Sequence, residues 1–594
     1  MMQVREQRQD LVRRVRFLIG LAAACLVTIT GAFWSVQIVQ GAYYRDLAES
    51  NRLRKVPIRA PRGLIYDRKG HLLVENVPSY DLLIDRTRTQ DLAASVGFAA
   101  GILDRAPEDL QKELAKARRT PDFKPVRLAE DLTLGEVSRF EVKRLEHPEF
   151  EIDVRHLRLY RHGPQTSHLL GYLGEVSPAE IASSGGLYQP GDLVGKEGVE
   201  KSYDSHLRGT EGERVVVVDS RGRVLDEYRR EQARAGRPLT LSLDLDLQQE
   251  AERLLQGEVG AVVALDPRSG AIRALYSSPP YNPNLLARGV SAEQWRSILE
   301  APNHPLQDRA IQSAYSPGSV FKVVVAAAGL AEGVIDRNTT FFCGGSTTIY
   351  GHRFRCWNPG GHGRVNLEKA LEGSCDIFFY NVGKALGIDR IAHYARLFDL
   401  GRQTGVELGA EKAGLVPDAT WSLDRRKHPW YPGETISVAI GQGPLLVTPL
   451  QMAAMMAAVA NGGRMVVPHL RAGETQPGGR LKLPDGVLDQ VRHGLWAVVN
   501  APHGTGRAAR VPGLDVAGKT GTAQVVAQST WTKNEDLPYE QRDHAWFASF
   551  APADDPQLVI VVFIEHGGHG SSAAAPVAKA LYEKYFGIDA AGQG

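Results

Sequence analysis

Only four cysteines occur in 594 residues, too few to staple a disulfide scaffold. Net charge is nearly absent as well: 70 Lys and Arg stand against 68 Asp and Glu, a formal +2. With no basic excess and no basic-aromatic module, nothing marks a nucleic-acid partner. No run beyond Val39 is long and apolar enough for a second membrane crossing. What is present is a globular composition, 43% hydrophobic and 23% charged, in a chain long enough for about two to four domains with large cores.

The one long apolar run is FLIGLAAACLVTITGAFWSVQIV, Phe17–Val39, about 23 uncharged residues that suffice to cross a bilayer. Arg5, Arg8, Arg13, Arg14 and Arg16 precede it. By the positive-inside rule, residues 1–16 form a cytoplasmic tail, 17–39 a transmembrane helix, and the rest is exported. A cleaved signal peptide is the alternative. The span is long for a signal-peptide core, and GAYYRDLAES is a poor cleavage site.

Residues 40–237 are mixed and charge-rich, with short strand-like runs between Gly- and Pro-marked turns. The stretch APRGLIYDRKGHLLVENVPSYDLLID reads as strand, turn at Lys69-Gly70, strand; residues 193–216 read as a glycine-bounded helix entering a strand. Nothing catalytic stands out, and the segment is expected to be an elongated mixed α/β pedestal, a spacer or docking domain. Residues 238–594 differ. LTLSLD predicts a strand, DLQQEAERLLQG an amphipathic helix, and GAVVALDPRSGAIRALYSS two strands. DVAGKTGTAQV, HAWFASFAP and QLVIVVFIEH predict three more, before the helix APVAKALYEKYF. Strands at both ends with helices between them predict an α+β domain, an antiparallel sheet with helical cover.

In YSPGSVFK, Ser319 opens the apolar helix VFKVVVAAAGLAEG and Lys322 follows one turn on. Serine is also an ordinary helix cap, so this spacing alone is weak. A lysine in an apolar helix is costly unless paired or deprotonated, and desolvation makes it a better base. Two further pieces follow in order: SCD, Ser374–Asp376, and KTGTAQ, Lys519–Gln524, on a predicted strand. Ser-x-x-Lys, Ser-x-(Asn/Asp) and Lys-Thr-Gly in that order form the serine acyltransferase set of penicillin-binding proteins and class A β-lactamases.

YSPGSVFK, GQGPLLVTPLQMA, KTGTAQ and HAWFASFAP resemble a penicillin-binding transpeptidase domain. RGLIYDRKG and GKEGVEKSYDSHLRGTEG resemble the pedestal of the class B proteins, and RFRCWNPGGHG, SCD and WYPGET resemble the elongation branch, penicillin-binding protein 2. No segment resembles a glycosyltransferase domain. The resemblance implies a single-pass protein of the bacterial cytoplasmic membrane that cross-links peptidoglycan stem peptides during elongation. It implies Ser319 as nucleophile, Lys322 as its base, Ser374 as a proton relay, and Lys519, Thr520, Gly521 and Thr522 as the donor-binding strand. Asp376 stands where many relatives have asparagine, and a carboxylate there favours a charged Lys322. β-Lactams would acylate Ser319, and a RodA-like glycosyltransferase of the SEDS family and other elongation-complex proteins would be partners. A carboxypeptidase or β-lactamase uses the same parts, and a scaffold that only activates a polymerase is the third reading.

Cys343, Cys356, His362 and Cys375 follow C-x12-C-x5-H-x12-C, a pattern that suits a structural zinc ion. The first two bracket a predicted hairpin, GGSTTIYGHRFR. A Cys343–Cys356 disulfide with Cys375 as a free buried thiol, or neither arrangement, are the alternatives. His352 is the reserve ligand. Relatives in the resembling branch can carry a zinc site in this region. If Ser374 and Asp376 face the cleft, Cys375 points away from it. His544, His566 and His569 are read as structural, and His503 in PHGTG as a loop residue.

Overall fold

The computed structural model describes residues 2–118, 120–122, 124–219, 224–526 and 534–588. The chain divides into two compact units, Met1–Pro61 with Pro78–His156 and Arg208–Gly236, and Arg62–Val77 with Leu157–Leu207 and Arg237–Gly594.

The first unit begins with a helix over Met2–Trp34 that continues as a π-helical turn, Ser35–Val39. Among the described residues it is the one helix long and apolar enough to cross a membrane. Strands Leu53–Ile58, Gly212–Val218 and Val224–Glu231 pair antiparallel in that order. A separate small core gathers Leu82, Ile84, Val96, Leu103, Leu128, Phe140 and Phe150. Its helix Leu92–Leu103 starts where the Asp91 carboxylate accepts the Ala94 N–H at 3.1 Å.

In the second unit the predicted turn at Lys69-Gly70 is held by one carboxylate. Asp67 Oδ1 accepts the Lys69 and His71 N–H groups, each at 2.8 Å, and Gly70 takes φ +85°. Nearby, Glu200 is fully buried between two guanidiniums, with Arg62 Nε at 2.6 Å and Arg158 Nε at 2.7 Å; Asp204 takes a second Arg62 nitrogen at 2.8 Å. Burial pushes the Glu200 carboxyl up, but the two arginines outweigh it and hold it below the ordinary range.

LTLSLD forms a much shorter strand than its sequence predicts, Leu239–Thr240 alone. The Ser242 N–H is drawn to the Leu470 carbonyl at 2.6 Å, and Asp244 already stands at the N-cap position of the next helix, α1 (Leu245–Leu254). The central sheet then follows the expected plan. Its strands are β1 (Gly260–Leu265), β2 (Ile272–Ser278), β3 (Ala517–Ala523), β4 (His544–Ala551) and β5 (Leu558–Ile564). They run in the order β2-β1-β5-β4-β3, antiparallel throughout. Both faces are covered, which is why QLVIVVFIEH is apolar without alternation. Val559, Val561 and Phe563 enter one core, while Leu558, Ile560 and Val562 enter the other.

The first core holds α2 (Lys322–Ala331), α3 (Leu367–Glu372), α4 (Asp376–Leu386) and α5 (Pro449–Ala460), and most of α6 (Val487–Asn500). The second holds α1 and α7 (Ala574–Phe586). Helix α5 is buried along its whole length. Between α2 and α3 lies a pair of two-stranded ribbons, one of them the expected hairpin, Ser346–Ile349 against His352–Arg355.

Replacing Glu200 leaves Arg62 and Arg158 buried without their shared counter-charge. Glu200→Gln is expected to cost about 3–5 kcal/mol, read as a lowered denaturant midpoint of the full chain in detergent. Because the folded carboxyl titrates below its unfolded value, its contribution is present above the unfolded pKa and is lost as pH falls through the folded one. The variant should therefore differ most from wild type at neutral pH and converge with it in acid.

Candidate active site

Ser319 sits in a single 3-10 turn, Gly318–Phe321, that runs directly into α2. Phe321, Val323, Val324 and Val325 are fully buried, so the turn is clamped to the core by its own continuation. Gly318 has φ +53°, and a Cβ there would stand 2.5 Å from the Thr522 carbonyl oxygen. Its N–H donates to the Gly441 carbonyl at 3.0 Å, and a Cβ on Gly441 would lie 2.0 Å from the Gly318 oxygen. A Cβ on Gly521 would meet the Val320 side chain at 2.8 Å and the Pro317 carbonyl oxygen at 3.0 Å. These backbone approaches bring the Ser319 turn against β3, and only glycine permits them.

Lys322 is wholly buried. Its Nζ donates to Asp376 Oδ1 at 2.7 Å, to the Ser374 carbonyl at 2.9 Å and to Ser374 Oγ at 3.2 Å. Three acceptors therefore surround the amine. Ser374 lies between α3 and α4 with φ +52°, a left-handed conformation unusual for a side-chain-bearing residue. The other Asp376 oxygen accepts the Trp357 N–H at 2.8 Å. Burial pushes the Asp376 carboxyl up, with Lys322 beside it pulling the other way.

On β3, Lys519 is wholly buried and its Nζ donates to the Thr520 carbonyl at 3.1 Å. Burial drives its ammonium far below the ordinary lysine range, and Lys322 nearby lowers it further. Thr520 is 7% exposed, and the Thr522 carbonyl accepts Gln442 Nε2 at 3.1 Å. Ser319, Lys322, Ser374, Asp376 and the β3 residues thus come from three separate stretches of chain into one neighbourhood.

Residues 260–583 match the penicillin-binding protein transpeptidase domain, and residues 57–241 the penicillin-binding protein dimerisation domain. The chain belongs to the penicillin-binding protein transpeptidase family. It is 36% identical to the peptidoglycan D,D-transpeptidase MrdA of Acinetobacter baumannii, over 98% of this chain and 88% of that one. It is similar to Helicobacter pylori penicillin-binding protein PBP2 solved in complex with MreC, at 29% identity, covering 90% of this chain and 99% of that one, TM-score 0.81. A member of a peptidoglycan synthase complex, described as coordinating polymerization and crosslinking, matches at 31% identity over 98% of this chain and 100% of that one, TM-score 0.73.

Several residues of this penicillin-binding protein escape the motif reading. Thr505 lies 2.9 Å from the Thr520 hydroxyl, although its sequence, PHGTG, reads only as a loop. Gln442 lies inside a stretch that carries family resemblance, but nothing in the sequence ties it to Thr522. Tyr315 donates its hydroxyl to Glu565, which also takes Arg309 Nε at 2.9 Å, a network drawn from both ends of the domain. His544 caps the edge of β4, where burial and then His566 lower its imidazole to about 4, so it stays neutral near pH 7.

Cys343, Cys356, His362 and Cys375 converge behind Ser374. Their ligand atoms all lie within 4.8 Å of one another, and both Cys343 Sγ and Cys356 Sγ stand 3.5 Å from His362 Nδ1. The three thiols are free. Two glycines at positive φ shape the loop: Cβ atoms at Gly345 and Gly361 would stand 2.0 Å from the Pro359 oxygen and 2.2 Å from the Cys343 oxygen. The reserve residue His352 is exposed on the ribbon and lies outside this group.

Gly318→Ala puts a Cβ into the Thr522 carbonyl at a backbone conformation that itself costs about 1–2 kcal/mol. Fluorescent-penicillin labelling of this variant should slow by at least about tenfold, while its circular dichroism spectrum stays near wild type. Labelling at the wild-type rate would mean the turn does not depend on this approach.

Proposed function

We propose that this protein is a membrane-anchored peptidoglycan D,D-transpeptidase acting through an ester on Ser319. The observation that carries the reading is Lys322, buried one turn from Ser319 and bonded to both Ser374 and Asp376. Ser319 Oγ would attack the carbonyl between the last two D-alanines of a donor stem peptide and pass its proton to Lys322 in its neutral amine form, whose lone pair receives it. Asp376 then stabilises the ammonium that forms. Charge developing on the carbonyl oxygen would meet the backbone N–H groups of Ser319 and Thr522. Ser374, within 3.2 Å of Lys322 Nζ, would return a proton to the departing D-alanine nitrogen. The amine of a neighbouring stem peptide would next attack the ester, forming the cross-link and restoring the Ser319 hydroxyl. Lys519, Thr520 and Thr522 would hold the donor's terminal carboxylate. The apolar N-terminal helix supports an anchor in the bacterial inner membrane, N-terminus inside. The likeness to the MreC-bound and synthase-complex proteins favours an elongation-type assembly with a RodA-like polymerase.

Cys343, Cys356, His362 and Cys375 would hold a structural zinc ion. The donor set, three thiols and one imidazole, suits a tetrahedral zinc ion, and the four ligand atoms already lie within 4.8 Å of one another. The ion would fix the fold of this loop and take no part in acyl transfer.

Intact mass after benzylpenicillin treatment should show one covalent adduct on wild type and none on Ser319→Ala. Adduct on both would remove Ser319 as nucleophile; a purified donor peptide and amine acceptor should yield cross-linked product rather than hydrolysis alone. Protein purified without chelator should carry about one zinc per chain and lose it in Cys356→Ser; metal-free wild type would end the zinc assignment.

A further inference from the structure

Thr505 occupies a junction that the acyl-transfer scheme leaves unused. Its hydroxyl lies 2.9 Å from the Thr520 hydroxyl and 3.4 Å from the Glu372 carbonyl. Glu372 ends α3, two residues before Ser374. The Thr505 N–H already reaches the same carbonyl at 3.2 Å, and the His503 N–H binds the Glu372 side chain at 3.2 Å. Two glycines fix the loop on either side. A Cβ at Gly504 would stand 2.2 Å from the Val498 oxygen, and the Gly506 N–H donates to that oxygen at 2.9 Å. Thr505 is thus held rigidly between the SCD segment and the Lys-Thr-Gly strand.

Proton counting gives this contact a direction. Each hydroxyl has one proton. Were Thr505 to give its own to Glu372, Thr520 would donate to Thr505 and have nothing for a ligand. The Glu372 carbonyl is the more distant acceptor and is already served by a backbone N–H. The shorter contact is to Thr520, and donation from Thr505 leaves the Thr520 proton free. An anion facing Thr520 would then receive it, and the two bonds in series would polarise one another.

We propose that Thr505 is a positioning residue that orients the Thr520 hydroxyl as a donor to the substrate's terminal carboxylate, so that carboxylate recognition at β3 depends on a loop 15 residues upstream. This rests on the transpeptidase reading above. Thr505 touches no reacting atom; it acts through Thr520.

The test uses the full chain in detergent and compares acylation by benzylpenicillin with acylation by its methyl ester, which lacks the carboxylate. Thr505→Val keeps the shape and removes the proton. The acid-to-ester ratio of second-order acylation rates should fall about tenfold in Thr505→Val and return to within about twofold of wild type in Thr505→Ser. Because each variant is its own reference, a general loss of folded protein leaves the ratio unmoved. A second arm reads benzylpenicillin alone: in a Thr520→Val background, Thr505→Val should cost less than about twofold, since its effect passes through Thr520. Equal slowing of acid and ester, or costs that simply multiply in the double variant, would overturn the proposal and leave Thr505 a packing residue. A wild-type protein that takes up neither compound would instead overturn the transpeptidase reading itself.

Discussion

A lysine with no solvent exposure must be neutral or fully paired, and the site is arranged around that requirement. Lys322 is partnered: one carboxylate, one hydroxyl and one carbonyl surround its amine. All three acceptors come from two residues, Ser374 and Asp376, so the lysine and the SCD segment fix each other. The carboxylate is itself buried, and it is tolerable only because its second oxygen is satisfied by the Trp357 N–H. Remove any one partner and a buried charge or donor is left alone. The same arrangement keeps the Ser374 hydroxyl within 3.2 Å of Lys322 Nζ, which is the proximity a proton relay needs.

The second constraint is steric. The Ser319 turn meets β3 backbone to backbone at Gly318, beside the Thr522 carbonyl, and meets the Gly441 backbone on its other side, while Gly521 on β3 packs against Val320 and Pro317. Hydrogen-bonded sheet edges are rigid, and α2 is anchored by a fully buried apolar face. Ser319 is therefore placed by two stiff elements rather than by a flexible loop. The adjacent Lys519 is driven far below its ordinary range by burial and then by Lys322.

Much of this was legible in the sequence because it rests on local pattern. The apolar runs QLVIVVFIEH and HAWFASFAP gave β5 and β4, and the three motifs located Ser319, Lys322, Ser374, Asp376 and Lys519 near enough to act together. LTLSLD misled, because its alternation says strand while a long-range bond from Ser242 to Leu470 ends it early. Thr505 and Gln442 left no signal: a threonine between glycines and a glutamine before Gly443 are ordinary loop residues. Their contacts exist only where chain segments about 15 and 80 residues apart meet. The compact units also interleave along the chain, with three separate stretches in each, which composition shifts cannot reveal.

The SCD segment joins the two constraints. Successive side chains of an extended chain point opposite ways, and Cys375 is extended while Ser374 before it takes φ +52°. Ser374 and Asp376 accordingly reach Lys322, and Cys375 reaches the cluster of Cys343, Cys356 and His362 behind them. The strained Ser374 conformation has to be maintained by its surroundings. On one side Lys322 holds it by two bonds; on the other, the thiol and imidazole cluster holds the next residue. A bound metal on that side would stiffen the Cys375 backbone, and any gain in stiffness there is transmitted to Ser374 through a single peptide. The cluster and the cleft are thus two faces of one short segment, and neither can move without disturbing the other.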